Sequence, residues 1–505
     1  MKILKSIGII TVIAMLSKVL GFLRDALIAS YFGASETTDA YFIALTVPNL
    51  LFAAFGTAIA SGIIPMYVEA KNESESKGKK LIHDLGSLFL MISLVITVVA
   101  FIFSAQIVDF IGGDMTEHQR ELTIYLTKIT IPSFIFFVLS AFANGVLNAH
   151  KNFMIPAIST LPNNVIIVIF TVALSQYYGI VGITYCAFLA AITQYVIQYP
   201  SMKRHGIGFS YKVTKLDQQS KKALLSFLPI IIASIAVQMN MLTDQMVAAR
   251  LDEGSVSALN YAVKLLYLPL SIVATSLITV FFPTIVEAAK TAKHQFLGTS
   301  LKGMNIILLI SVPIAVVMFV MNREIIHIVF QRGEFDEQAA KMTAYTLFFY
   351  IPALFSISVR DYLIRCFMAV DRNRITMISS IIVVPLNMAL CIWLSHYFQS
   401  GGISLATSIA ITLQSIYLLV ILIKDYREKA EEVKGFFIGF GKLVVLFVLL
   451  YGCTYAAKIF IPIENVYAAF IVNGVICMIL FVGLSLALKI NELMMIVHMV
   501  KKKKQ

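Results

Sequence analysis

The chain is divided into about fourteen apolar segments, each close to the ~20 residues that an α-helix needs to cross a bilayer. Hydrophobic residues make up 59% of the sequence and charged residues only 13%, which is outside the range of a soluble domain. Backbone polar groups must be paired inside lipid, so such segments are expected to be helices. The sequence therefore predicts an all-α, polytopic membrane protein. Its predicted spans are 7–32, 40–68, 85–107, 122–147, 154–174, 179–199, 224–249, 259–285, 304–320, 344–368, 375–397, 401–423, 436–460 and 465–488.

Lysine and arginine are distributed unequally between alternate loops. The two termini and every second loop hold about 27 of these residues, whereas the intervening loops hold about five. Basic residues accumulate in cytoplasmic loops, so both termini are predicted to lie in the cytoplasm of a multi-pass cell-membrane protein. The same asymmetry accounts for most of the net charge of +12, and nucleic acid is therefore not expected as a partner.

Two short motifs recur about 220 residues apart. Arg24–Ala29 is echoed by Thr243–Ala248, and six spans lie between the two copies. Pro65–Ala70 is echoed by Pro283–Ala288, with a proline and a glutamate at the same spacing. This repeat predicts two parallel six-helix lobes with the substrate between them, followed by a C-terminal helix pair. The predicted domains are residues 1–222, 223–434 and 435–505.

Basic side chains inside the predicted spans are candidates for a binding site. A cation at bilayer depth costs at least ~2.5 kcal/mol on insertion scales, so it usually faces a cavity or a partner. Lys18 and Arg24 lie near the middle of the first span, and Lys264 lies in the eighth. Arg360 and Arg365 are candidates for secondary anion contacts. Because these bases outnumber the acids in the spans, the pattern favours a phosphate or pyrophosphate over an organic cation.

Other residues inside the spans leave alternatives open. Asp244 in the seventh span and Asn387 in the eleventh are candidates for a coupling Na+ or H+ site, but Asp244 pairing with a nearby base is an equal interpretation. Lys458, close to a span end, is interpreted as snorkelling to the interface. The sequence has no P-loop and no H-E-x-x-H motif, so neither an enzyme nor a metal or other cofactor is expected. Transport would draw on an ion gradient or the membrane potential.

Several charged and proline-containing motifs stand out within and beside the spans. They are Ser17–Ala26, Tyr31–Ala34, Thr38–Phe42, Pro48–Leu51, Asn260–Lys264, Leu268–Leu270 and Val329–Phe335. Together these motifs resemble the MurJ (MviN) family of the multidrug/oligosaccharidyl-lipid/polysaccharide exporter superfamily. The resemblance implies a flippase that moves lipid II, the undecaprenyl-pyrophosphate-linked peptidoglycan precursor, from the inner to the outer leaflet by alternating access. Membrane lipid and this lipid-linked pyrophosphate are the implied partners.

The same resemblance implies which residues contact the substrate. Arg24, Asp25 and Asp39 match charged positions that line the family's central cavity, and Lys18 and Lys264 stand where the family usually has arginines. The candidate substrate-binding residues are Lys18, Arg24, Asp25, Asp39, Asn49 and Lys264. The terminal helix pair is implied to form a groove for the polyprenyl tail.

The chain also departs from the family. Phe52 and Ala53 stand where the family commonly has an arginine pair. This departure leaves another undecaprenyl-linked oligosaccharide open as the cargo. A drug–cation antiporter of the same superfamily is a second alternative, against which the cationic excess argues.

Overall fold

A computed structural model describes residues 2–113, 115–206, 234–235, 238–291, 293–425, 430–490 and 492–493 of the protein. The regular secondary structure of these residues is helical, without strands. The helices are α1 (Lys2–Phe32), α2 (Glu36–Glu73), α3 (Glu75–Ile102), α4 (Ser104–Gly112), α5 (Glu117–Thr130), α6 (Ser133–Ala149), α7 (Met154–Ser159), α8 (Leu161–Arg204), α9 (Ser255–Thr291), α10 (Lys293–Val320), α11 (Asn322–Val329), α12 (Glu337–Ala369), α13 (Asn373–Asp425), α14 (Ala430–Phe460) and α15 (Val466–Ala487). Residues 238–248 are also helical.

The helices confirm the predicted all-α membrane fold. Among the described residues, eight helical stretches are long and apolar enough to cross a membrane. Further predicted spans coincide with α1, α2 and α9. The predicted span 224–249 lies largely outside the described residues, so the total of fourteen stays a prediction.

Two long helices are broken where two separate spans are predicted. Gly179 in α8 has φ 55°, and Gln399 in α13 has φ 50°, so neither residue is helical. Gln399 falls in the short gap between predicted spans 375–397 and 401–423, and Gly179 is the first residue of predicted span 179–199. Since α13 has 53 residues, a straight helix of that length would far exceed the ~30 Å of a bilayer core. The breaks therefore divide α8 and α13 into segments of membrane-spanning length.

Polar residues cap four helices that begin at the predicted outer face. Ser35, Thr116, Asp336 and Asn465 each precede a helix, and each side chain accepts a backbone N–H from the first turn. A cap of this kind stabilises a helix by about 1 kcal/mol, because it pairs a donor that has no partner within the helix. These residues therefore fix where α2, α5, α12 and α15 begin.

The chain forms two compact units. The first contains Met1–Ser257 and Arg332–Phe335, and the second contains Ala258–Gln331 and Asp336–Gln505. The predicted boundary at residue 222 lies outside the described residues and stays a prediction, as does the predicted boundary at residue 434. Within the second unit, buried side chains of α14 and α15 join the same core as those of α10 and α12.

The core of the first unit is built from aromatic and branched side chains of α2, α3 and α6. Ile59, Ile63, Phe89, Phe134 and Phe142 are all almost fully buried there. Lipid is as apolar as these side chains, so close van der Waals packing, more than exclusion from water, holds such helices together.

Polar side chains add hydrogen bonds between the helices. In the first unit, Gln198 Nε2 on α8 donates to Ser140 Oγ at 2.7 Å and to Ser159 Oγ at 3.0 Å. In the second unit, Ser408 Oγ on α13 donates to the carbonyl oxygen of Phe349 on α12 at 2.8 Å. Hydrogen bonds of this kind contribute about 0.6 kcal/mol each in membrane proteins.

We expect Gly303→Ala to destabilise the second unit. A Cβ atom at this position of α10 would overlap the hydroxyl oxygen of the buried Tyr362. Overpacking a core costs about 1–3 kcal/mol, so the melting temperature in detergent should fall. Tyr362→Phe removes the overlapping oxygen and should partly restore stability to the Gly303→Ala protein.

Gly452→Ala is the matched control for this substitution. A Cβ atom at Gly452, on α14, has no heavy atom within 4 Å apart from its own helix backbone and chain neighbours. The control should leave the melting temperature unchanged or raise it, because alanine is the better helix former. Equal melting temperatures for the two alanine variants would contradict the proposed clash.

Candidate functional site

A partly buried ion pair in the first unit is extended by the amide of a third residue. Arg24 on α1 donates from Nε and Nη2 to Asp25 Oδ1 at 3.1 and 3.0 Å, and from Nη1 to Asn164 Oδ1 at 3.1 Å. Asn164 on α8 in turn donates from Nδ2 to the carbonyl oxygen of Ser17 at 3.0 Å. We call Arg24, Asp25 and Asn164 the Arg24 cluster. It fixes the guanidinium against two helices.

The Arg24 cluster retains the ability to bind an anion. The Asp25 side chain is 7% exposed, whereas that of Arg24 is 23% exposed. These three hydrogen bonds use three of the five N–H donors of a guanidinium, which leaves two for a further acceptor. A guanidinium held in place by its neighbours loses little side-chain entropy when it binds a phosphate oxygen.

Sequence reasoning did not identify Asn164. This residue lies 140 positions from Arg24, and its side chain is buried in α8. An amide in the middle of an apolar span was the available signal, because a polar side chain at bilayer depth needs a partner. Sequence reasoning also did not identify Tyr41, which is buried on α2 and interacts electrostatically with both Arg24 and Asp25.

Asp39 occupies a different place in the first unit. Its Oδ2 accepts the backbone N–H of Gly254 at 2.9 Å. Its Oδ1 accepts the backbone N–H of Ser257 at 2.7 Å and the Ser257 hydroxyl at 2.5 Å. Asp39 is 3% exposed. Its carboxylate therefore binds the start of α9, where backbone N–H groups and the helix dipole favour a negative charge.

Two of the motifs singled out in the sequence, Tyr31–Ala34 and Val329–Phe335, also meet in the first unit. The backbone N–H of Glu334 donates to the carbonyl oxygen of Ser30 at 2.9 Å. Gly33 and Gly333 have φ of 66° and 61°, and a Cβ atom on Gly333 would overlap the Ser30 carbonyl oxygen. Both positions therefore require glycine. We call Asp39 with its partners in α9, together with this backbone contact, the outer junction.

The other candidate substrate-binding residues are not part of the Arg24 cluster. Lys18 is exposed on α1 and Asn49 is exposed on α2. Lys264 on α9, in the second unit, is partly buried with its ammonium group 5.8 Å from the centre of the Tyr261 ring. This distance allows a cation–π interaction. Their role in substrate binding stays a prediction.

Arg360 and Asp361 on α12 repeat the geometry of the first two residues of the Arg24 cluster. Arg360 donates from Nε and Nη2 to Asp361 Oδ1 at 3.0 and 2.8 Å, and its side chain is 23% exposed, as is that of Arg24. Arg365 is exposed, with its guanidinium 5.9 Å from the centre of the Phe282 ring. Their proposed anion contacts stay predictions.

The two candidate coupling-ion residues are both buried. Asp244 lies in the first unit, and Asn387 lies on α13 in the second unit. Within the part of the chain that the structure describes, no group of three or more His, Cys, Asp and Glu side chains has the arrangement of a metal site. An ion site at Asp244 or Asn387 stays a prediction.

Comparison with known proteins decides the family. The family model described as "Lipid II flippase MurJ" matches residues 28–476. The chain belongs to the MurJ family. The probable lipid II flippase MurJ of Rickettsia prowazekii is 30% identical over 426 residues, which cover 81% of this chain and 82% of that protein. The lipid II flippase MurJ of Burkholderia cenocepacia is 26% identical over 472 residues, 90% of each chain.

Solved structures agree with the MurJ assignment. A lipid II flippase MurJ in an inward closed conformation superposes with a TM-score of 0.82 at 25% identity, and the match covers 94% of this chain and 98% of that one. An inward-facing multidrug resistance transporter of the MATE family, in the MOP superfamily, has a TM-score of 0.68 at 14% identity over 82% of this chain and 96% of its own. The second likeness shows a shared fold.

Proposed function

We propose that this protein is a flippase that moves lipid II from the inner to the outer leaflet of the bacterial cell membrane by alternating access. The observation that carries the proposal is the match of residues 28–476 to the family of lipid II flippases. Both termini lie in the cytoplasm, as the basic loops indicate. Another undecaprenyl-linked oligosaccharide is the alternative cargo, and it would use the same chemistry toward pyrophosphate.

The Arg24 cluster supplies a fixed cation for the pyrophosphate. Asp25 and Asn164 hold the guanidinium in place, so its two remaining N–H groups are available to phosphate oxygens as charge-assisted hydrogen bonds. Lys18 and Lys264 contribute further positive charge as flexible point charges. Each cation that binds the pyrophosphate lowers the cost of bringing it into a medium of low dielectric constant.

The outer junction controls access from the outer side. Asp39 binds residues Gly254 and Ser257, which lead directly into the part of α9 that belongs to the second unit. Breaking the three hydrogen bonds to this one carboxylate opens the junction, and re-forming them closes it. An ion gradient or the membrane potential drives the cycle. Asp244 is a candidate ligand for the coupling ion.

Lys264→Ala is expected to reduce flipping about tenfold or more, the loss that follows from removing one charge-assisted hydrogen bond. Lys264→Arg keeps the charge and adds a planar fork, so it should retain activity. Growth of a flippase-depleted strain, at matched membrane abundance, is the measurement. Lys434→Ala, an exposed lysine near the start of α14, is the control.

Retained growth with both Lys264→Ala and Lys434→Ala would remove Lys264 from the site. Loss of growth with Lys264→Ala and also with Lys264→Arg, with both proteins folded, would point to a packing role instead of a charge role.

A further inference from the structure

A polar cavity lies in the second unit, at the ends of α10, α11, α12 and α14. Its volume is about 590 Å³, and it is lined by Phe319, Val320, Asn322, Arg323, Lys341, Ala344, Tyr345, Phe348, Tyr455 and Lys458. The sequence places these helix ends at the outer face. A volume of this size is within the range of ligand pockets.

The cavity carries an excess of positive charge. Lys341 Nζ lies 2.7 Å from Glu337, and Lys458 Nζ lies 2.6 Å from Glu324. Lys458 also donates to the carbonyl oxygen of Val320 at 2.8 Å, so two partners hold its ammonium group, and its interpretation as a snorkelling side chain stays a prediction. Arg323 is exposed and interacts electrostatically with Glu337, but it has neither a hydrogen bond nor an ion pair within 4 Å among the described residues, so its five donors remain available.

Asn322 adds a buried acceptor that has no donor. The residue is 8% exposed, and its Nδ2 donates to the carbonyl oxygen of Ala344 at 2.7 Å. Its Oδ1 is buried and has no hydrogen-bond partner among the described residues. Leaving such an oxygen unpaired costs about 1–3 kcal/mol, so a ligand that donates a hydrogen bond to it would recover this loss.

The walls of the cavity combine this polar chemistry with aromatic rings. Tyr345, Phe348 and Tyr455 are all exposed beside the cavity. Aromatic side chains of this kind concentrate where lipid head groups meet the hydrocarbon core. A soluble anion makes no use of such a wall, whereas a lipid places its acyl chains against it.

We propose that this cavity binds the head group of an outer-leaflet glycerophospholipid. Arg323 and Lys341 hold the phosphodiester, and a hydroxyl or ammonium group on the head-group alcohol donates to Asn322 Oδ1. The acyl chains lie along the aromatic wall. The site is separate from the Arg24 cluster and from the outer junction, and it does not depend on lipid II being the cargo.

The head-group chemistry makes a specific prediction. Phosphatidylglycerol carries hydroxyl donors, whereas the quaternary ammonium of phosphatidylcholine has neither an N–H nor an O–H. The purified full-length protein should therefore retain phosphatidylglycerol in preference to phosphatidylcholine when each is titrated and counted by native mass spectrometry. Combining Arg323→Ala with Lys341→Ala should weaken retention about tenfold or more, because charge-assisted hydrogen bonds are lost.

Arg120→Ala is the matched control, since it removes a cation from the predicted outer face outside the cavity. Arg120 pairs with Asp109 at 2.6 Å. Melting temperatures of all variants establish folding, and Arg323→Glu, at an exposed position, serves as a second variant if the double one is unstable. Phosphatidylglycerol binding that falls only in the cavity variants supports the site.

Two outcomes would overturn the proposal. Equal retention of phosphatidylglycerol by the wild type and by folded cavity variants would show that the cavity holds no head group. Displacement of phosphatidylglycerol by millimolar inorganic phosphate, with phosphate itself binding in an Arg323-dependent way, would identify a site for a soluble anion instead of a lipid.

Discussion

Arg24→Ala is expected to abolish growth of a strain that depends on this protein. The substitution removes the two N–H donors that remain for phosphate, and charge-assisted hydrogen bonds are worth about 1.5–3 kcal/mol each, so flipping should fall about a hundredfold or more. Arg24→Lys keeps the positive charge without the planar fork and should give intermediate activity. Growth and outer-face exposure of lipid II, at matched abundance, are the measurements.

A folding defect must be separated from the loss of the binding group. Alanine at position 24 leaves the buried Asp25 carboxylate without its guanidinium partner, which costs about 3–5 kcal/mol when a buried pair is broken. Combining Arg24→Ala with Asp25→Asn removes that charge, so this double variant should be abundant and still inactive. Full growth with either variant at normal abundance would exclude Arg24 from substrate binding.

Arg120→Ala is the matched control for this experiment as well. The Arg120 guanidinium donates to the exposed Asp109 on the short helix α4 and holds the pKa of that carboxyl below its ordinary value. Because both residues lie outside the predicted spans 85–107 and 122–147, loss of this pair should leave flipping unchanged. A loss of activity equal to that of Arg24→Ala would mean that any missing arginine impairs the protein.

Asp39→Ala is expected to open the outer junction. It removes three hydrogen bonds to one carboxylate, from Gly254 and Ser257. A loss of at least ~2 kcal/mol follows, which shifts a two-state equilibrium about 30-fold or more. Asp39→Asn should have a smaller effect, because its oxygen still accepts from Ser257 while its NH2 group meets the Gly254 N–H.

Cysteine labelling from the outer side measures this opening. Ser255 is 2% exposed, so Ser255→Cys should react slowly with a membrane-impermeant maleimide and much faster when Asp39→Ala is added. Cys453 is an exposed cysteine and is replaced by serine beforehand. Asp109→Ala removes an exposed carboxylate from the predicted outer face and should leave labelling slow. Equal rates with and without Asp39 would contradict control of access by the junction.

The spans were predictable because bilayer thickness imposes a nearly fixed length on apolar segments. The break at Gln399 falls in the gap between two predicted spans, and the break at Gly179 coincides with the first residue of a predicted span. The division into units was not predictable in the same way, because Arg332–Phe335 joins the first unit through tertiary contacts with α1. Hydropathy describes each segment separately, so it does not indicate that a short segment will join the unit formed by a distant part of the chain.

The candidate site was predictable only where its contacts are local. The pairing of Arg24 with Asp25 follows from adjacent positions, and the same dipeptide at Arg360 and Asp361 pairs in the same way. Asn164 and Ser257 lie 140 and 218 residues from their partners, so no spacing rule connects them. Asp39 was predicted as a substrate ligand from the family resemblance, whereas in this structure its carboxylate binds the first turn of α9.

The most direct test of lipid II flipping is exposure of lipid II on the outer face, detected with a probe that cannot cross the membrane. The measurement uses cells in which this protein, under controlled expression, is the only flippase. We expect exposure to rise with expression and to disappear with Arg24→Ala at equal abundance. Absence of exposure from a folded, well-expressed protein would contradict lipid II as the cargo and would favour another undecaprenyl-linked glycan.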